Sequence, residues 1–491
     1  IQEDKKENVN VAMENLPADN LKYYDLGSGL VTNTIGSSMI KWNMASFMGR
    51  INYNYLGRYL LTVSARYDGS SRLADGHKWV LFPSAALAWR INEESFMSST
   101  SGWLDNLKLR LGFGKTGNSA VDPYQTKGTL SLIRYPFDNG GTPTIGYAPN
   151  AMANSLLTWE TTDQWNLGID FGVLRGRING TIDLYMQNTH DLLLKRQLPV
   201  VSGFPDVLSN VGKTRNKGIE VSINSMNINS KDFQWTTDLM LSSNKEEIVE
   251  LYNGKNDDIG SKWFIGQPVN VHYDYRKVGI WQNTESDLAE MAKFAANGTE
   301  FAPGDIKIQD VNGDYKITDA DKQILGNPRP KLIASMVNTF NYKGFDLSVF
   351  LYASFGAMLY NDIYALEHCG RNGGVKVDYW TPNNPTNAYP RPSIDEERPI
   401  YITSTYYEKA DFLRVKTMTL GYTLPKTLTN KFLVEKLRVY FTAQNPFIFT
   451  NYTGIDPEAA KVNSAGNPET NGSGFGTPSV SSWIFGINLT L

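Results

Sequence analysis

QWNLGIDFGVLRGRINGTIDLYM, residues 164–186, is the stretch from which the fold is read. Trp165, Leu167, Ile169 and Phe171 alternate with Gln164, Asn166, Gly168 and Asp170. A period of two puts the first set on one face of a strand and the second on the other. VLRGR, residues 173–177, then reverses the chain within a few residues.

The same alternation recurs along the chain. Leu61, Val63, Ala65 and Tyr67 oppose Thr62, Ser64, Arg66 and Asp68. Leu107, Leu109, Leu111 and Phe113 oppose Lys108, Arg110, Gly112 and Gly114. Phe345, Leu347, Val349 and Leu351 form another row, and Trp483, Phe485, Ile487, Leu489 and Leu491 close the chain. A soluble sandwich also alternates, but its strands usually run ~5–6 residues, whereas crossing a bilayer at a tilt takes ~9–11. The polar rows here carry full charges (Lys108, Arg110, Asp170, Glu220, Asp238, Arg438), which suits a water-filled lumen.

The connections give the stronger argument. Segments 55–59, 173–177, 227–232 and 341–345 are short, with 92–105 and 424–435 somewhat longer. Between them fall long segments at about 69–82, 116–160, 189–215, 244–330, 357–410 and 449–480. Outer-membrane barrels show this asymmetry, with short periplasmic turns and long external loops. The expected fold is all-β: a transmembrane antiparallel barrel wall of about thirteen strands with long extracellular loops. Counting back from residues 481–491 places residues 1–45 in an external loop and 46–491 in the wall. It also places an odd number of strands upstream, because an open wall leaves unpaired edges in lipid.

Composition agrees. The 491 residues carry 50 acidic and 47 basic side chains, so charge gives no reason to expect a nucleic-acid partner. Tyr (26) and Phe (22) are abundant, which favours strands. The opening IQEDKKENVN is too polar for a secretion signal, and no long apolar run suits a membrane helix. Cys369 beside His368 is read as a loop cysteine. His77, His190, His272 and His368 are scattered, and no paired carboxylates or nucleophile motif point to an enzyme.

Five segments then carry a family resemblance. NYLGRYLLTVSARYDGSSRLADGHKWVLFPSAALAWRINEESFM, LKLRLGFGKTGN, the stretch from WETTDQWNLGIDF to NTHDLLL, the stretch from GDIKIQDVNGDYKITDADKQILG to FLYASFG, and FLRVKTMTLGYTLP occur in that order. They resemble SusC/RagA-type TonB-dependent transporters of Gram-negative outer membranes, over about residues 45–491. The resemblance implies a plugged barrel of about 22 strands, of which about thirteen lie here. It also implies active import of oligosaccharides or peptides, a SusD-like surface lipoprotein as lid, and coupling to TonB through N-terminal parts outside this chain. Two such transporter–lipoprotein pairs would associate as a dimer. The other readings are a passive outer-membrane pore or adhesin barrel, and a secreted β-sandwich that binds glycans.

Two sets of site residues are expected. DVNGDYKITDAD, residues 310–321, has calcium-loop spacing: the side chains of Asp310, Asn312, Asp314 and Asp321, with the carbonyl of Lys316, would supply oxygens. Tyr315 stands where such loops favour glycine, and Asp321 is shorter than the usual Glu. Trp79, Trp263, Trp281, Tyr379 and Trp380 lie in long connections, where aromatic rings stack on sugars or clamp peptides; loop packing or a membrane belt are the alternatives. SDLAEMAKFAANG, residues 286–298, is expected to be a short helix that packs rather than binds.

Overall fold

The computed structural model describes residues 1–17, 22–29, 31–137, 144–361, 376–393, 398–458 and 479–490. His368, Cys369 and Leu491 lie outside these described residues. Among the described residues, one antiparallel sheet of 14 strands runs in strict chain order, each strand bonded to its sequence neighbours. The strands are β1 (Gln2–Glu14), β2 (Val31–Tyr55), β3 (Tyr59–Ser70), β4 (Trp79–Arg90), β5 (Leu104–Asn118), β6 (Glu160–Val173) and β7 (Ile178–His190). They continue as β8 (Lys213–Asn229), β9 (Phe233–Glu250), β10 (Leu332–Tyr342), β11 (Phe345–Phe355), β12 (Phe412–Thr423), β13 (Lys436–Thr450) and β14 (Ser482–Thr490). The remaining pairings are two-stranded, so no second layer covers this sheet and the sandwich reading fails.

Strands β2 to β14 are the thirteen read from the sequence, and β1 is additional. It pairs only with residues 31–44 of β2, whereas β3 pairs with residues 44–55. Segment 1–45 is therefore largely a ribbon rising from the rim rather than an irregular loop. Its strand DKKENVNVAME is exposed on both sides and so lacks the one-sided alternation that marks a wall strand.

The short turns have the backbone that tight hairpins need. Tyr342 pairs with Phe345, leaving Lys343 (φ 45°) and Gly344 (φ 88°) as the whole connection. Positive φ at both central residues matches the right-handed twist of the flanking strands.

The two faces differ in kind. On the outer face Ile51, Tyr53, Phe485 and Ile487 are all more than half exposed. Aromatic side chains there gather at two levels. Tyr67 and Phe47 lie 5.0 and 6.1 Å from Trp79 near the long-loop end. Tyr55, Tyr59 and Trp89 form a second row at the short-turn end, with Tyr59 and Trp89 stacked at 6.4 Å. Trp79 and Trp89 stand ten positions apart on β4, roughly 33 Å along a strand and roughly 25 Å vertically at a ~40° tilt. That is the height of a lipid-facing band between two aromatic girdles.

The inner face is a polar ladder. Thr62 donates to Asn52, Ser64 meets Ser84, Gln187 donates to Gln164, and Thr419 meets Thr442. Charges are paired between strands: Lys108 lies 3.1 Å from Asp170, and Arg438 donates to Asp346 at 2.9 Å. None of the described helices is long and apolar enough to cross a membrane.

Candidate functional site: an interlocked external cap

A single-layer wall has no core of its own, so most of the buried apolar side chains collect in the loops. The connection between β9 and β10 and that between β11 and β12 fold together. Ile280, Ile306 and Ile308 from the first pack with Trp380, Ile402 and Tyr406 from the second. Helix α1 (Glu285–Ala296), capped by Thr284, buries Met291 and Phe294 against Trp281 and Phe301. The helix read from the sequence is thus a packing element.

Hydrogen bonds stitch the two loops. Lys277 Nζ donates to the carbonyl of Ala388 at 2.7 Å, and Trp380 Nε1 to Gln282 Oε1 at 2.9 Å. Arg391 Nε donates to Asp305 Oδ1 at 2.9 Å. His272 Nε2 lies 2.8 Å from the carbonyl of Met358, which sets the tautomer with hydrogen on Nε2. Its Nδ1 is buried without a partner, and burial holds the imidazole below its ordinary pKa. Beside it, Tyr407 donates to Asp274 at 3.1 Å; burial first, and that carboxylate second, push the phenol up.

A cleft of about 490 Å³ opens in this layer, lined by Lys277, Asp378, Tyr389, Ser404, Tyr407 and Glu408. A second hollow of about 450 Å³ shares Asp378 and adds Tyr379 and Asn384. Burial alone pushes the Lys277 amine down to about 8. The cleft offers amines, carboxylates and hydroxyls to a polar ligand.

The sequence-derived aromatics are dispersed. Trp281 is 1% and Trp380 6% exposed, so both belong to the core of the cap and neither can stack on a ligand. Trp79 stands in the outer girdle, facing away from the lumen. Tyr379 does border the hollow, and Trp263 is half-buried in the loop after β9, bridged to Asp258.

The 310–321 loop is held by its own amides. Asp310 accepts from Gly313 and Tyr315 at 2.8 and 2.9 Å. Asp314 accepts from Lys316 at 2.8 Å, and Asn312 from Asp314 at 3.1 Å. Asp321, fully buried, accepts from Val311 at 2.9 Å and Thr318 at 2.8 Å. Tyr315 itself adopts φ 57° where glycine is usual, and its ring packs on Phe294 at 5.5 Å. Among the described residues no group of three or more His, Cys, Asp or Glu side chains is arranged to hold a metal ion. Through Tyr315 the loop packs on the core of the cap.

A family model described as TonB dependent receptor-like, beta-barrel matches residues 15–445. The chain belongs to that family. This TonB-dependent receptor-like barrel is 33% identical over 488 residues to TonB-dependent receptor P3 of Formosa agariphila, covering 96% of this chain and 48% of that protein. It is 35% identical over 434 residues to TonB-dependent receptor SusC of Bacteroides thetaiotaomicron, covering 84% and 41%. In fold it is similar to the solved RagAB peptide transporter, with a TM-score of 0.77 and 24% identity over 96% of this chain and 50% of that one. The receptor-like barrel spans about half the length of the curated relatives it matches. Its family places it in the outer membrane, and its relatives are receptors rather than enzymes.

Sequence reading missed one knot of this receptor-like barrel. Arg414, on the inner face of β12, is almost fully buried and lies 2.5 Å from Asp456 and 3.0 Å from Glu458. Lys416 pairs with the same Glu458. This pins the start of the last loop against the wall. The signal available was two cations at alternate positions in FLRVK and two acids in DPE.

Proposed function

We propose that this chain is the barrel portion of a TonB-dependent importer that carries oligosaccharides or peptides across the outer membrane. The observation that carries the reading is a lumen wall lined by paired charges beneath a cap with its own core. A polar lining lets a hydrated solute pass, and a rigid cap provides a site that can hold it first. In this reading a SusD-like surface lipoprotein closes over the cap, TonB acts through parts of the protein outside this chain, and two transporter–lipoprotein pairs associate. The kinship to TonB-dependent receptors supports TonB-dependent import, and the fold shared with a peptide transporter supports the peptide class.

Calcium enters as an addition to the 310–321 loop. Asp310, Asn312, Asp314, Asp321 and the Lys316 carbonyl would hold it, while the backbone amides already order the loop.

Uptake of labelled oligosaccharides and peptides by cells with the full-length protein, with and without TonB, tests the reading. Import that stops without TonB is the expected result. Uptake that continues unchanged means a passive pore.

A further inference from the structure

A second cleft, apart from the cap, opens at the external rim where the β1–β2 ribbon rises beyond β3. Its volume is about 460 Å³, within the range of small-molecule sites. Lys41 and Trp42 of β2, Lys78 of the β3–β4 loop, and Tyr124 and Lys127 of the β5–β6 loop line it. Three separate segments thus bring three amines and two aromatic rings to one hollow.

We propose that this rim cleft binds an acidic oligosaccharide, one whose sugars carry carboxylate or sulfate. The charges facing it are unequal. Lys41 is paired to Glu3 at 2.9 Å and Lys78 to the exposed Asp75 at 2.5 Å. Lys127 has no carboxylate within ion-pairing distance among the described residues. Arg72 is not itself in the lining, but its guanidinium carbon lies 3.8 Å from the centre of the ring of Trp42, which is, and its Nε is buried without a hydrogen-bond partner. An anion entering the cleft would compensate that surplus.

The architecture favours sugar over peptide. Past the end of β3, the edge of β2 is closed at Lys41 and Asn43, the two positions that border the cleft. Tyr124 Oη accepts from the Lys41 amide at 3.1 Å and donates to its carbonyl at 3.2 Å. Ser71 satisfies Asn43 next to it, through Oγ at 2.9 Å and its own amide at 3.0 Å. A peptide therefore finds no backbone groups there to pair with as an added strand. The remaining lining supplies side-chain hydroxyls and amides (Asn43, Ser71, Thr126, Ser155) beside aromatic faces, which suits a hydroxyl-rich ring.

The inference rests on the import reading for its place in the cell, but binding is measured without import. Purified full-length protein in detergent is titrated at low salt with tetragalacturonate, a sulfated carrageenan tetrasaccharide, maltotetraose and tetraglutamate. Binding of at least one acidic tetrasaccharide, and not of the other two probes, is expected; which one binds identifies the anionic group. Lys41→Gln with Lys127→Gln should weaken that binding about tenfold and flatten its salt dependence, while Asp75→Asn should strengthen it. The Asp75 variant carries the test if the lysine variant does not fold. No binding of either acidic probe, equal binding of maltotetraose or tetraglutamate, or affinities unmoved in the folded variants would overturn the inference. Loss of the import reading shows separately, as uptake independent of TonB.

Discussion

Arg110 reaches across Gly168 to Asp183, with Nη2 3.0 Å from Oδ2. The three residues stand in one cross-strand row on β5, β6 and β7. A β-carbon on Gly168 would sit 2.5 Å from the Arg110 guanidinium carbon and 2.6 Å from Asp183 Oδ1. The glycine is the gap through which the ion pair spans two inter-strand spacings. Gly421 has the same role beneath Arg438 and Asp346.

Gly168→Ala should therefore displace Arg110 and cost about 1–3 kcal/mol of barrel stability. Gly49→Ala is the control, because nothing lies within 4 Å of its new β-carbon. The temperature at which the full-length barrel loses its compact mobility on a gel reads both. The first variant should melt earlier and the second should match the parent.

Phe294 anchors the cap through Trp281, Phe301 and Tyr315, all with ring centres within 5.9 Å. Phe294→Ala should cost about 3–5 kcal/mol locally, because a buried aromatic leaves a cavity. Hydrogen exchange should quicken across residues 272–326 while strands β5 to β9 keep their protection. Equal loss of protection in the wall would mean that cap and barrel are one cooperative unit.

His272 gives the cap a dependence on pH. Burial lowers its folded-state pKa below the ordinary value of about 6.5, so below that pH the unfolded loop binds more protons than the folded one. The stability of the cap therefore falls as pH drops from 6.5 toward the folded-state pKa, and is complete above 6.5. Lys262 opposes the charged ring, while the facing Tyr407 keeps its proton and donates a hydrogen bond with it to Asp274, so it gives the ring no carboxylate. Exchange at residues 272–274 and 358–360 should accelerate in mild acid. His272→Phe should abolish that acceleration.

Arg414 and Asp456 form a buried pair at 2.5 Å. Arg414→Met should cost about 3–5 kcal/mol, because it strands a buried carboxylate. Adding Asp456→Asn should restore part of the loss. Protection of residues 451–458, followed by exchange, distinguishes the two variants. Identical behaviour would show that the carboxylate is hydrated rather than dependent on Arg414.

The wall was legible because lipid on one side and polar lumen on the other impose period two on every strand, as in Gln164–Phe171. The positive-φ turns were legible as Gly-containing gaps such as NYKGF. The cap was not, because its core is assembled from residues far apart in sequence: Ile280 with Ile402, Gln282 with Trp380. Nothing local distinguishes a loop tryptophan that packs, such as Trp281, from one that binds. Spacing in DVNGDYKITDAD places oxygens at alternate positions, which converge equally well on a cation or on backbone amides, and amides of the same loop do meet them. The girdle position of Trp79 depended on knowing that β4 begins there and not in the loop.

The two faces of each wall strand have opposite surroundings, lipid outside and water within. The most direct measurement places single cysteines at positions 164–167 and 169–171 in the full-length protein, leaving out Gly168, with Cys369 replaced by serine, and labels each with a fluorophore in lipid bilayers. Labels at 165, 167, 169 and 171 should be quenched by brominated lipid, and labels at 164, 166 and 170 by aqueous iodide. Quenching that ignores this alternation, or reverses it, would contradict that arrangement.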